Sequence, residues 1–320
     1  MFQRSTDARF PTREGVKRWK ETTSFLPKCC GESALLFLPT VSVANRFIAW
    51  YDDPNKSNAS PNFKRERKNM NTTKKFDGRA TDYTASRPSY ALELIDYLYS
   101  NCGITKSSMI ADVGSGTGKF AKHLLDKGSE VYCVEPNSDM RDVAENELCE
   151  YQNFHSVMGD AENTTLKNDS IDYITTAQAF HWFDVSKFKQ ECSRIIKSGG
   201  AVILIWNVRS NSDLLNRELF QIYSTYCPNF HGFSGGIEKD DQRIKEFFNG
   251  NYDYVSFDNP LLFDRERFVT RSLSSSYSLK EGDSEYAKYI EALNKLFDKY
   301  QNNGIVSVAN QSVAYFGTIK

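Results

Sequence analysis

Apolar positions follow two periods that alternate between residues 88 and 207. After Pro88, which suits a first helical turn, Leu92, Ile95, Leu98 and Tyr99 recur at helical spacing. Met109-Ile110-Ala111-Asp112-Val113 is a short, nearly unbroken apolar run, the form of a strand buried on both faces. Glycines follow, then Phe120, Ala121, Leu124 and Leu125 as a helical stripe that stops at Gly128. Val131–Val134 reads as a second strand, and Ser138 as the cap of a helix reaching Leu148. Asn153–Val157 and Ile171–Thr175 read as a third and a fourth strand. Asp184 caps a helix with Val185, Phe188, Cys192, Ile195 and Ile196 on one face, ended by Gly199-Gly200. Ala201–Trp206 is a fifth, wholly apolar strand.

Strands alternating with helices of this length imply a parallel sheet joined by crossovers. Beyond residue 207 the pattern predicts helices over 213–226 and 238–248, joined by an aromatic loop, Phe230–Gly236, that caps the strand ends. A sixth strand over Tyr254–Phe263, a helix carrying Tyr286, Ile290, Leu293 and Phe297, and an edge strand over Ile305–Thr318 follow. The expected fold is therefore α/β: a doubly wound, Rossmann-like seven-stranded sheet with helices on both faces and an inserted helical cap.

Charge divides the chain. Of its 40 basic and 41 acidic residues, 13 and 7 lie in residues 1–69, so the segment is basic and the remainder acidic. Residues 1–69 lack sustained periodicity, and the apolar run Ala34–Ala44 is interrupted by Pro39 and too short to cross a bilayer. This part is expected to be a poorly ordered N-terminal extension, with the catalytic domain at 70–320, its core motifs at 79–207 and its cap and C-terminal region at 208–320. A net charge of −1 gives no overall field for nucleic acid or an anionic membrane. Seven scattered cysteines without a CxxC pair point to a reducing, cytoplasmic setting, and the isolated histidines to no metal site.

Asp112-Val113-Gly114-Ser115-Gly116-Thr117-Gly118 lies where the first strand turns into a helix, the place at which open α/β sheets bind ligands. Glu135, at the end of the second strand, can accept both hydroxyl hydrogens of a ribose. A dinucleotide site wants GxGxxG; here the third glycine comes one residue early and Lys119 stands where the last would fall.

These motifs, with Gly159-Asp160-Ala161-Glu162, resemble those of class I S-adenosylmethionine-dependent methyltransferases. Ala177-Gln178-Ala179-Phe180-His181-Trp182-Phe183 and Arg79-x3-Tyr83-x3-Arg87-Pro88 resemble the small-molecule branch that includes trans-aconitate methyltransferase-like enzymes. The resemblance implies S-adenosylmethionine as cofactor: Gly114 and Gly116 against its methionine part, Asp112 organising the loop and the amino group, and Glu135 on the ribose. Pro136 would lie beside the adenine, Asp160 and the Ala161 amide would hold it, and Gln178 would line the path to the acceptor. It also implies Tyr83, Arg87, Trp182 and Arg271 on the substrate side, the last near Ser274-Ser275-Ser276-Tyr277, and a small-molecule acceptor that can be a carboxylate.

Acidic residues around the loop agree with a cationic cofactor and not with a pyrophosphate. Methyl transfer from a sulfonium is an in-line displacement that needs alignment and dryness more than a base. His181 is the candidate base or acceptor contact. Thr175-Thr176-Ala177-Gln178 lacks the Asn/Asp-Pro-Pro-aromatic signature of enzymes acting on exocyclic amino groups of bases. Two alternatives stand beside this reading: a non-enzymatic or RNA-associated protein on the same fold, suggested by the basic stretch 64–75, and an NAD(P)-dependent oxidoreductase.

Overall fold

In the computed structural model the described residues are 88–319, apart from 211, 234–240 and 276. The N-terminal extension and the candidate residues Tyr83 and Arg87 lie outside them.

The most apolar runs become the central strands. Strands β1 (Met109–Val113), β2 (Glu130–Val134), β3 (Phe154–Val157) and β4 (Ile171–Ala177) are parallel, as is β5 (Ile196–Arg209). Strand β9 (Asn310–Gly317) runs antiparallel between β5 and β6 (Asp253–Asp258), giving a seven-stranded sheet in the order β3-β2-β1-β4-β5-β9-β6. Strand β1 has partners on both sides, and Ile110 to Val113 are buried. One face of the sheet is covered by α1 (Leu92–Asn101) and α2 (Lys119–Asp126). Their Leu94, Ile95, Leu98, Phe120, Leu124 and Leu125 pack on Ile110, Val131, Ile203 and Ile205. The helix α3 (Ser138–Leu148) follows β2 and adds Leu148 to this layer. On the other face, α4 (Val185–Ile195) sets Phe188, Cys192 and Ile195 against Ile174, Val202, Leu204 and Trp206.

Several boundaries depart from the pattern. The cap of α3 is Asn137, whose Oδ1 accepts from the Met140 amide at 3.0 Å, and Ser138 is already helical. Helix α4 ends at Ile195 because Ile196 leaves it to pair with Ile171, a β-branched side chain finding a buried place in the sheet. The expected sixth strand is broken at Asn259-Pro260, since proline offers no ladder donor. Its second half, β7 (Leu261–Phe263), pairs with β8 (Val306–Val308) in a separate two-stranded sheet.

The cap is also built differently. Helix α5 (Leu214–Tyr226) belongs to it, but α6 (Gln242–Phe247) lies on the sheet, where Ile244 and Phe247 join Phe180, Phe188 and Trp206. The remaining cap helices come from the C-terminal region: α7 (Arg265–Leu273) and α8 (Tyr286–Tyr300), with a core of Leu219, Tyr223, Phe230, Phe268, Tyr289 and Phe297. Apolar stripes at helical spacing mark helices; they do not say which layer a stripe will join.

Phe188 is fully buried, stacked on Phe247 at 5.4 Å and edge-on to Phe183 at 4.9 Å. Phe188→Ala is expected to cost about 3–5 kcal/mol. Urea unfolding of the full chain should report this as a lower midpoint with an unchanged slope.

Candidate active site

The carboxyl ends of β1, β2 and β4 bring Asp112, Glu135 and Gln178 to one crevice. Asp112 sits in register with Cys133 on one side and Thr175 on the other, so its carboxyl is enclosed by both neighbouring strands. Thr175 Oγ1 donates to Asp112 Oδ1 at 2.7 Å; Asp112 Oδ2 is buried with no hydrogen-bond partner among the described residues. Burial raises the Asp112 carboxyl to about 7, against the Thr175 hydrogen bond and with a contribution from the Glu135 charge. A buried acid with one oxygen unsatisfied is costly for the protein alone, and a cation placed beside it relieves that cost.

Glu135 binds the glycine loop to β2. Its Oε2 accepts from the Gly116 amide and its Oε1 from the Asn137 amide, both at 3.0 Å, while Arg141 Nη1 donates to its carbonyl at 2.8 Å. Burial raises the Glu135 carboxyl; those two amides and the Arg141 charge hold it down.

Four of the loop amides are already committed. Gly114 and Ser115 donate to the Val134 carbonyl, Gly116 to Glu135 and Gly118 to the Ser115 carbonyl. A pyrophosphate site would need such donors turned toward the ligand. Here they turn inward, and a carboxylate takes one of them. Gly114 is required by the protein itself, because a Cβ there would stand 2.6 Å from the Ala179 Cβ. Gly116, at φ +56°, faces no protein atom within 4 Å of where a Cβ would lie, so this stretch of backbone is open to the crevice.

The other rim residues flank this centre. Pro136 is exposed, between Glu135 and the Asn137 cap. After β3, Asp160 Oδ1 accepts the amides of Glu162 and Asn163 at 3.0 and 2.8 Å, closing a turn beside the buried Ala161. Gln178 has the left-handed φ of +58°, uncommon for a residue with a side chain. It is held there by its amide to Ile205 O (2.9 Å) and its Nε2 to Asn207 O (3.0 Å). Local strain of this kind gathers at functional sites. His181 lies in a 3-10 turn, Phe180–Trp182, half-buried and 4.8 Å from the Trp182 ring, which is 48% exposed.

Arg271 is half-buried in the last turn of α7, where its charge acts on Tyr277 of the cap. Sequence reasoning missed Thr175 and Asn207, which look like ordinary strand residues.

Comparison with known proteins agrees with this geometry. Residues 111–204 match the family described as Methyltransferase domain. An uncharacterized methyltransferase-like protein of Schizosaccharomyces pombe is 25% identical over 250 residues, covering 76% of this chain and 94% of the relative. An uncharacterized methyltransferase of Mycobacterium bovis is 33% identical over 147 residues, which cover 46% of this chain and 58% of the relative's length. A proposed type II methyltransferase from Anaeromyxobacter dehalogenans shares the fold, with a TM-score of 0.51 at 17% identity over 73% of this chain and 98% of that one. Among the described residues no group of three or more His, Cys, Asp or Glu could hold a metal, and no helix is long and apolar enough to cross a membrane.

The raised Asp112 pKa links stability to pH. The folded chain holds this proton more tightly than the unfolded chain, so its contribution is complete below about 4 and is lost as pH rises through about 7. Asp112→Asn keeps the acceptor for Thr175 and removes the charge. Thermal melts without ligand should show the variant more stable than the parent at pH 8 by on the order of a few kcal/mol, with little difference at pH 4.

Proposed function

Since the chain belongs to the class I S-adenosylmethionine-dependent methyltransferases, we propose that it methylates a small-molecule acceptor, a carboxylate being the favoured nucleophile. The observation that carries this reading is the acidic crevice itself: Asp112 and Glu135 stand behind a loop whose amides are turned inward. S-adenosylmethionine fits that donor set, because its ammonium and sulfonium are cationic and its ribose hydroxyls need acceptors. When bound, it supplies a methyl group already activated for displacement.

The chain's own residues divide the remaining work. Asp112 meets the cationic end with its unpartnered Oδ2, and the open backbone at Gly116, beside the closely packed Gly114, lies against the methionine part. Glu135 holds the ribose with lone pairs left over from its two amide contacts. Pro136, Asp160 and the Ala161 amide enclose the adenine. Gln178, His181 and Trp182 form the wall between cofactor and acceptor, with His181 orienting the acceptor by a hydrogen bond. Arg271 belongs to the acceptor side, as do Tyr83 and Arg87 outside the described residues. A carboxylate acceptor is ionised at neutral pH and needs no base, which suits a wall made chiefly of aromatic rings. The cysteines described, Cys102, Cys133, Cys149, Cys192 and Cys227, are all free, which supports a cytoplasmic setting.

Calorimetric titration of the full chain tests the reading. Saturable binding of S-adenosylmethionine is expected, with none of NAD. Glu135→Ala should weaken it about tenfold, or about 1.4 kcal/mol. A folded chain that binds NAD but not S-adenosylmethionine would overturn the proposal.

A further inference from the structure

The strand that supports Gln178 ends in a cation with no acid to meet among the described residues. Arg209 is the last residue of β5, opposite Asn310 of β9. It is half-buried, and its Nη1 is enclosed without a hydrogen-bond partner among the described residues. Its guanidinium lies on the face of Phe233, 4.4 Å from the ring centroid. Phe233 in turn packs against Phe220, Tyr223 and Phe230 at 5.8, 5.9 and 5.3 Å, so the guanidinium borders the aromatic cluster of the cap, at whose margin Phe220 is 44% exposed. The charges of Arg209 and Arg271 both act on the Tyr277 hydroxyl, which puts the two cations beside the same aromatic cluster.

Proximity to the reaction follows from the strand. Asn207, whose carbonyl holds the Gln178 side chain, is two residues before Arg209 on the same face of β5. Two residues span about 7 Å along a strand, roughly the length of a small organic acid. A ring face offsets part of the cost of burying a guanidinium, but it leaves the N–H donors unmet. A planar, singly charged anion answers both the charge and the fork of donors.

We propose that Arg209 is the specificity-determining residue of the acceptor site, holding a carboxylate of the acceptor that is not the group methylated. The second condition is chemical: an arginine engaging the nucleophilic oxygens would draw off the lone pairs that attack the methyl group. The acceptor is therefore an acid with an apolar body seated against the exposed rings at the cluster's margin, carrying one carboxylate as a handle and a second nucleophile near Gln178 and His181. This rests on the methyltransferase reading above and names the substrate class of its site.

Phenylsuccinate, a dicarboxylate with an aromatic body, is a suitable probe, and its diamide is the neutral control. Both are titrated into the full chain saturated with S-adenosylhomocysteine. The acid should bind at least tenfold tighter than the diamide. Arg209→Gln should abolish that preference while leaving affinity for S-adenosylmethionine and the melting temperature close to the parent's. Arg209→Lys, which keeps the charge and loses the planar fork, should retain part of it.

Equal affinity of the parent for acid and diamide, including no binding of either, overturns the inference. So does a preference that survives Arg209→Gln. The parallel titration with S-adenosylmethionine separates the two levels. If the cofactor binds and the acid preference is absent, only this inference fails; if a folded parent does not bind the cofactor, the methyltransferase reading fails with it.

Discussion

Enclosing the Asp112 carboxyl between two strand neighbours constrains everything built around it. The group can stay in the sheet because Thr175 of β4 supplies one hydrogen bond, and that contact exists only because β1 and β4 are parallel and in this register. The other oxygen remains unmet, so the protein keeps at the centre of its crevice an acid that favours a positive ligand. Glu135 completes the bias by accepting the loop amide that a phosphate-binding turn would offer outward. Two carboxyls and one redirected N–H thus give the crevice its acidic character.

A buried polar network carries this order sideways across the sheet. Ser312 Oγ donates to Asn207 Oδ1 at 2.6 Å, and Asn259 Nδ2 reaches both of them at 3.1 Å. Asn207 Nδ2 and Asn259 Nδ2 also hold the Ser89 carbonyl, and the Ala91 amide donates to Ser312. The carbonyl of the same Asn207 fixes the strained Gln178. Residues from β5, β9, the end of β6 and the segment before α1 therefore share one set of partners, and a shift in any of them is felt at the crevice.

The cap adds a different environment to the same edge. Its core is a third apolar cluster, rich in aromatic rings, separate from the two that sandwich the sheet. Rings present a large apolar surface with little rotamer entropy to lose, and their faces tolerate a guanidinium. An acidic crevice on one side and, in the proposed acceptor site, Arg209 over the Phe233 ring on the other would give the site two ends of opposite charge preference. An acceptor bound between them is oriented by electrostatics before any specific contact with the reacting atom.

The α/β class, the positions of the first five strands, and the acids and glycines of the crevice are all determined by sequence, because each is a local matter. Buried strands need unbroken apolar runs, tight strand–helix turns need glycine, and a carboxylate at a strand end stands where a ligand is met. The break at Pro260 is written in the chain as well, where Asp258-Asn259-Pro260 parts two apolar segments. What only the tertiary structure decided is long-range. Nothing local tells α6 to lie on the sheet while α7 and α8 form the cap, since all three present an apolar stripe and the choice depends on which surface remains uncovered. Nor does any local rule assign Asp112 its partner 63 residues away or leave Arg209 Nη1 without one among the described residues; those follow from strand order and register, which emerge only when the whole sheet is assembled.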